Sequence, residues 1–227
     1  EKNPFLGLRS IRYSLQHLPM FRPQLRAIVR ASAHGKICVM FPLVSRIMEL
    51  RQAKFVLSLV KEELEEEGFE FKNEIPVGVM IETPAAAICA REFARECQFL
   101  SIGTNDLIQY TLAVDRANER VAQLYTAADP SVLRLIRGVV RTGRRCKVSV
   151  SVCGEMAGDP TFTIWLVGLG LRSLSMAASS VPRVKKIIRS ITLADAEKVA
   201  RRVMSFETER EVLNYLRDET RKVWGEL

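Results

Sequence analysis

Five short apolar runs, each followed by a helix-length stretch, recur along this chain of 227 residues. They lie at 37–41, 77–81, 99–102, 148–152 and 173–176. Between them, apolar residues recur at helical spacing from about Arg46 to Glu67, closed by Gly68, and from about Pro84 to Arg95. Strands alternating with helices read as βα units, which pair their strands in parallel. The second and third runs are almost wholly apolar, as expected of strands covered on both faces. Polar residues, not plain turns, end three of the runs: Glu82, then Gly103-Thr104-Asn105-Asp106, then Cys153-Gly154-Glu155. In α/β barrels the loops at the carboxyl ends of the strands build the active site. The unusual chemistry therefore falls where such a fold would use it.

Five strands do not close a barrel, which takes eight. Residues 8–33 read as two helices, and no strand precedes Ile37. Residues 192–224 read as two amphipathic helices with Thr192 and Thr208 as N-caps. Two α/β architectures satisfy this pattern: an open doubly wound sheet, or a (β/α)8 barrel of the TIM type whose first three strands are missing from this chain. With no repeat, low-complexity tract or flexible linker, 1–227 is expected to be one domain. The opening Glu1-Lys2-Asn3-Pro4 has no Met, no basic start and no apolar stretch. It reads as a piece of a longer chain, not as a signal peptide.

Composition excludes some function classes. At 48% apolar and 26% charged, the chain has the balance of a soluble globular protein. No apolar run approaches the roughly 20 residues that cross a bilayer, so no membrane partner is expected. The formal charge of +8 collects on helical stretches such as Arg134, Arg137, Arg141, Arg144 and Arg145, and Arg183, Lys185, Lys186 and Arg189. Without interleaved aromatics or a recognisable module these are not a nucleic-acid groove. They read as solvated faces, or as attraction for an anionic substrate or acidic partner. Five cysteines at spacings of no zinc or disulfide framework read as reduced thiols in a cytoplasmic protein.

Glu82 and Asp106 each follow an apolar strand and stand 24 residues apart, one βα unit and the next strand. Neighbouring parallel strands lie about 4.8 Å apart, so the two carboxylates can converge on one hard cation, Mg²⁺ or Mn²⁺. Each could instead cap a neighbouring helix. Asn105, beside Asp106 and after Gly103, can present amide and backbone donors to an anionic oxygen. Arg116 and Arg9 are candidate phosphate forks, although either could equally be a surface or ion-pair residue. Cys153 ends a strand with no histidine beside it, since His17 and His34 fall in or near the amino-terminal helices. A thiol protonated at neutral pH can give its proton to an enolate carbon. From position alone, packing is an equal reading.

Taken together the segments resemble the phosphoenolpyruvate-binding domain of Enzyme I of the sugar phosphotransferase system, the phosphoenolpyruvate–protein phosphotransferases. The resemblance rests on Asn3-Pro4-Phe5-Leu6-Gly7-Leu8-Arg9, Val79-Met80-Ile81-Glu82-Thr83-Pro84-Ala85-Ala86 and Ser101-Ile102-Gly103-Thr104-Asn105-Asp106-Leu107. Tyr110-Thr111-Leu112-Ala113-Val114-Asp115-Arg116 and Cys153-Gly154-Glu155 complete it. It implies a TIM-type barrel, Mg²⁺ held by Glu82 and Asp106, and phosphoenolpyruvate contacted by Arg9, Asn105, Asp106 and Arg116. It also implies Cys153 as the proton donor that turns the enolate into pyruvate. Further implications are phosphoryl transfer to a histidine of a separate amino-terminal domain and then to the phosphocarrier HPr, and homodimerisation.

Some positions depart from the family's pattern. Asp129 precedes Pro130 where His or Ser is usual, Ala177 stands for a common Ser, Ala117 for a frequent Gly, and Val152 for a usual Met. The acceptor histidine is absent. Two other readings stay open: a regulatory or interaction module that keeps the barrel without catalysis, and a domain of the pyruvate phosphate dikinase or phosphoenolpyruvate synthase type. Metal-dependent binding of phosphoenolpyruvate separates the first from an enzyme. A nucleotide-binding domain elsewhere in the parent would reveal the second.

Overall fold

A computed structural model describes residues 1–224. After a single turn at Pro4–Leu6, α1 (Ser10–Gln16) and α2 (Leu18–Ala31) lead to β1 (Val39–Phe41) and the long α3 (Ile47–Glu66). Then come β2 (Val77–Ile81), α4 (Pro84–Ile88), α5 (Ala90–Ala94), β3 (Phe99–Gly103) and α6 (Thr104–Leu112). They are followed by α7 (Pro130–Cys146), β4 (Ser149–Cys153), α8 (Glu155–Gly158), α9 (Pro160–Leu169) and β5 (Leu174–Ser175). Three helices close the described chain: α10 (Val181–Arg189), α11 (Leu193–Val203) and α12 (Glu209–Trp224).

Three of the helices begin in the same way. Thr83, Asp129 and Asp159 each accept from a backbone N–H of the first turn, and a proline follows each at the first helical position. The side-chain oxygen satisfies a donor that the helix cannot, while the proline supplies the right φ and no donor to orphan. Thr192 caps α11 through the Asp195 N–H. Thr208 and Glu211 bond reciprocally ahead of α12, a capping box.

All five strands are parallel, and their order in the sheet is their order in the chain. A doubly wound sheet reverses direction at a switch point; here there is none. Right-handed crossovers in unbroken succession put the connecting helices on one side, which is the winding of a (β/α)8 barrel. The open doubly wound alternative is thereby excluded.

Register divides the sheet into two unlike faces. Phe41, Val79 and Leu100 align across three strands, and Ile81, Ile102 and Val152 across another three, all buried against the helices. On the opposite face Met80, Ser101 and Ser151 align, and one row higher Gly103, Cys153 and Ser175. Met40 and Phe99 lie on the row below, and toward the carboxyl ends of β3 and β4 that face is small and polar. It carries the chemistry, while the apolar face fixes the fold.

The elements differ in detail from the sequence expectation. The first strand starts at Val39 instead of Ile37, and the fifth shrinks to two residues. The fourth takes in Cys153, which pairs with Gly103. The helix expected over 84–95 is broken at Cys89, whose ψ of 23° lies outside the helical range and divides it into α4 and α5. Among the described residues no helix is long and apolar enough to cross a membrane.

Candidate active site

Glu82 follows the last residue of β2 and is buried with Thr83. The Leu43 N–H donates to its Oε1 at 2.6 Å. Leu43 can do so because it adopts a φ of 53°, a strained left-handed conformation for a leucine. Burial drives the Glu82 pKa up to about 7, and the neighbouring charge of Asp106 adds to the rise. The Leu43 hydrogen bond and the positive charges of Arg9 and Arg116 work against it. A Cβ on Gly103 would stand 2.8 Å from Glu82 Oε2, so the end of β3 passes directly beside this carboxylate.

Asp106 lies in the first turn of α6, where the helix dipole favours an acid. It is buried, with a guanidinium on each oxygen. Arg9 Nη2 reaches Oδ2 at 3.0 Å, and Arg116 Nη1 reaches Oδ1 at 3.5 Å. Arg9 is held further by Tyr110, whose hydroxyl accepts from Nη1 at 3.2 Å, and by the Phe5 ring, 5.6 Å from its guanidinium carbon. Asn105 Oδ1 accepts from the Glu155 N–H at 2.9 Å, and its carbonyl accepts from the Tyr125 hydroxyl at 3.1 Å. With the oxygen so engaged, Nδ2 is the end of the amide left to donate to a ligand.

Cys153 sits across the strand gap from Gly103. Its thiol donates to the Ile102 carbonyl at 3.4 Å and accepts from Ser101 Oγ at 3.7 Å. Burial pushes its pKa above that of an ordinary thiol; the Ser101 bond opposes this and the nearby Glu82 charge reinforces it. At neutral pH Cys153 is a thiol. His17 is turned to the Tyr13 carbonyl on α1, so it activates nothing here. The strand end is locked by Gly154, at a φ of 97°: a Cβ there would stand 2.4 Å from Thr104 Oγ1 and 2.7 Å from Asn105 Oδ1. Thr104 in turn donates to the Cys153 carbonyl at 2.9 Å. A cleft of about 570 Å³ opens beside this lock, lined by Asn105, Gly154, Glu155, Ser175, Ala177 and Ser180 among others.

The structure thus brings Arg9, Glu82, Asn105, Asp106, Arg116 and Cys153 to one rim of the sheet. Two buried carboxylates flanked by arginines form a hard-oxygen donor set. Mg²⁺ is served by one or two carboxylates, its remaining positions going to water and substrate oxygens, so the residues present fit such an ion. The departures fall at sites of differing consequence. Asp129 caps α7 and Val152 is buried on the helix side, whereas Ala177 lines the cleft. Sequence reasoning missed Leu43, Ser101, Gln109, Tyr110 and Tyr125. Gln109 and Tyr110 carried a signal, since they stand three and four residues beyond Asp106 and so share its helix face. Ser101 lies on β3 just ahead of the rim, whereas Leu43 and Tyr125 reach it from segments farther off in sequence.

A sheet wound in barrel order, with acids, arginines and a protonated thiol on its carboxyl rim, defines an α/β domain equipped for an anionic substrate. Over residues 1–193 the chain matches, and belongs to, the family of PEP-utilising enzymes at its PEP-binding domain. It is 49% identical over 212 residues to the phosphoenolpyruvate-protein phosphotransferase of Haemophilus influenzae, covering 93% of this chain and 37% of that protein. Phosphoenolpyruvate-protein phosphotransferases of Staphylococcus aureus and Priestia megaterium are 46% and 45% identical, over 94% and 96% of this chain. The chain spans 37% and 38% of their lengths. The resemblance drawn from the motifs is borne out. A citrate lyase from Burkholderia xenovorans superposes with a TM-score of 0.55 at 15% identity, over 89% of this chain and 69% of that one, a likeness of fold.

Proposed function

We propose that this chain is the phosphoenolpyruvate-binding part of a phosphotransferase, and that it takes phosphoenolpyruvate together with Mg²⁺ at the rim described. The observation that carries the proposal is the pair Glu82 and Asp106, both buried at neighbouring strand ends between Arg9 and Arg116. A buried, nearly isolated carboxylate such as Glu82 is costly unless a cation compensates it. The guanidiniums suit a ligand carrying both phosphate and carboxylate. A divalent ion held by Glu82 and Asp106 would supply positive charge to the phosphate and to the oxygen on which charge develops.

The chain's own residues account for the rest. Arg9, Arg116 and the Asn105 amide hold and orient the substrate. As the phosphorus–oxygen bond breaks, the electron pair stays on the enolate oxygen. The carbonyl then forms while the methylene carbon takes the proton of Cys153 Sγ, giving pyruvate; the thiolate regains its proton from water. The phosphoryl group goes to a histidine of a separate domain and from there to HPr, with electrostatic clamping as the main source of rate. A single domain over 1–227, a homodimer and a cytoplasmic location belong to the same reading. A protonated thiol beside the acids is superfluous in a docking module, so the geometry favours the enzyme.

Isothermal titration of the protein with phosphoenolpyruvate is the test. Binding should require Mg²⁺ and disappear in Glu82→Ala. Binding that survives EDTA and the substitution alike would refute the proposal.

A further inference from the structure

The two arginines of the rim are long side chains with room to move. Arg9 is 31% and Arg116 36% exposed, so neither is held in place by burial. Each nevertheless has a dedicated restraint, and both restraints come from consecutive residues of α6. The Tyr110 hydroxyl accepts from Arg9 Nη1 and donates to the carbonyl of Phe5, whose ring lies against the same guanidinium. Gln109 Oε1 accepts from the backbone N–H of Arg116 at 3.2 Å, across the loop that follows α6. Gln109 is 3% exposed, and its Nε2 is buried without a hydrogen-bond partner among the described residues. An apolar residue would pack there without an unsatisfied donor, so filling space does not explain the amide. Holding the Arg116 loop does. Both residues stand one turn beyond Asp106, on the face that presents it.

We infer that Gln109 and Tyr110 are positioning residues that preset the two arginines independently, Tyr110 the guanidinium of Arg9 and Gln109 the loop carrying Arg116. The inference deepens the phosphoenolpyruvate reading of this rim and rests on it for its effect on binding. Their side-chain hydrogen bonds go to the arginines and to Phe5, and neither residue is among the ligand contacts proposed above. Each removes from an arginine the freedom that ligand binding would otherwise have to freeze out.

The unliganded protein decides the positioning itself. In Tyr110→Phe, which keeps the ring, the Arg9 side-chain Nε–H resonance should move to the position and mobility of an exposed arginine, while the Arg116 backbone amide stays put. In Gln109→Met the Arg116 amide should exchange faster with solvent, while the Arg9 signal is unchanged. If the Arg9 resonance does not change in Tyr110→Phe, or both variants disturb both sites alike, the inference is overturned. Should Gln109→Met fail to fold, Tyr110→Phe alone decides. Titration with phosphoenolpyruvate and Mg²⁺ then reads the consequence. Each variant should weaken binding about tenfold, the loss of one hydrogen bond to a charged or loop-fixing group. In an Arg9→Ala background Tyr110→Phe should add nothing, whereas Gln109→Met should still weaken binding. Additive effects of Tyr110→Phe and Arg9→Ala would refute the assignment, because a merely structural role is blind to which arginine is present. If the unaltered protein does not bind phosphoenolpyruvate at all, the functional proposal fails, and the resonances still settle the positioning.

Discussion

Glu82 is the side chain that its surroundings change most. An ordinary glutamate ionises near pH 4.5, whereas burial at the end of β2 raises this one to about 7. In metal-free protein the folded state therefore holds the proton more tightly than the unfolded chain. The contribution of this one group to stability is fully present below about pH 4.5 and is lost as pH rises through about 7. Glu82→Gln preserves the shape and an acceptor for Leu43. It should match the parent's melting temperature in acid and exceed it by several degrees at pH 8 in EDTA. Parallel melting curves for the two proteins across that range would mean the carboxylate is solvated. Cys153 makes the second prediction at this scale. On the proposed role of the thiol as proton donor, Cys153→Ala should bind phosphoenolpyruvate within about threefold of the parent, while pyruvate formation, assayed in a phosphotransferase made to carry this domain, falls at least about a hundredfold. A normal rate would return Cys153 to the role of packing.

At the scale of elements, the carboxyl ends of β3 and β4 are one built unit. Gly154 turns the chain at a φ of 97°, and Thr104 and Asn105 occupy the space a side chain would need. Gly154→Ala should cost about 1–3 kcal/mol of stability, from backbone strain and the displaced neighbours. Because one displaced atom is Asn105 Oδ1, affinity for phosphoenolpyruvate should fall with it. Thr192→Ala, at the cap of α11, should cost about 1 kcal/mol by the same denaturation assay and leave affinity untouched. If both variants spare affinity, the Asn105 amide is not part of the site. The caps at Thr192 and Thr208 were legible in advance, since a Thr with an acid three residues on announces a helix start from local chemistry alone. The break at Cys89 was not. The apolar pattern continues through it, and a ψ of 23° leaves no mark in a hydrophobic period.

At the scale of the molecule, the sheet is covered by a helical layer in which α11 lies close on α9. The contact depends on Gly168, where a Cβ would stand 2.0 Å from the Ala196 carbonyl oxygen, a backbone atom with little room to yield. Gly168→Val should separate these helices, lower the melting temperature by several degrees and expose apolar surface to a hydrophobic dye. Unchanged stability would show that α11 can slide without loss. Arg9 comes from ahead of the first strand and Arg116 from the loop after α6; Arg116 reaches Asp106 from nearby in the chain, whereas Arg9 reaches it only through the tertiary fold.

The chain's own order of residues determined the alternation of strand and helix, the caps, and the polar endings of the strands. It also determined the alternating Ser and Val of β4, which fall on opposite faces of the sheet. All of these arise from interactions between residues a few positions apart. Which acids meet, which way the sheet winds, and what restrains Arg9 and Arg116 were decided by tertiary structure. Those outcomes join residues up to 105 positions apart, as Tyr110 and Phe5 are. The raised pKa of Glu82 likewise belongs to the folded protein. It comes from burial of the carboxyl group in the folded chain, with the Asp106 charge adding to it, and no local pattern of residues encodes it.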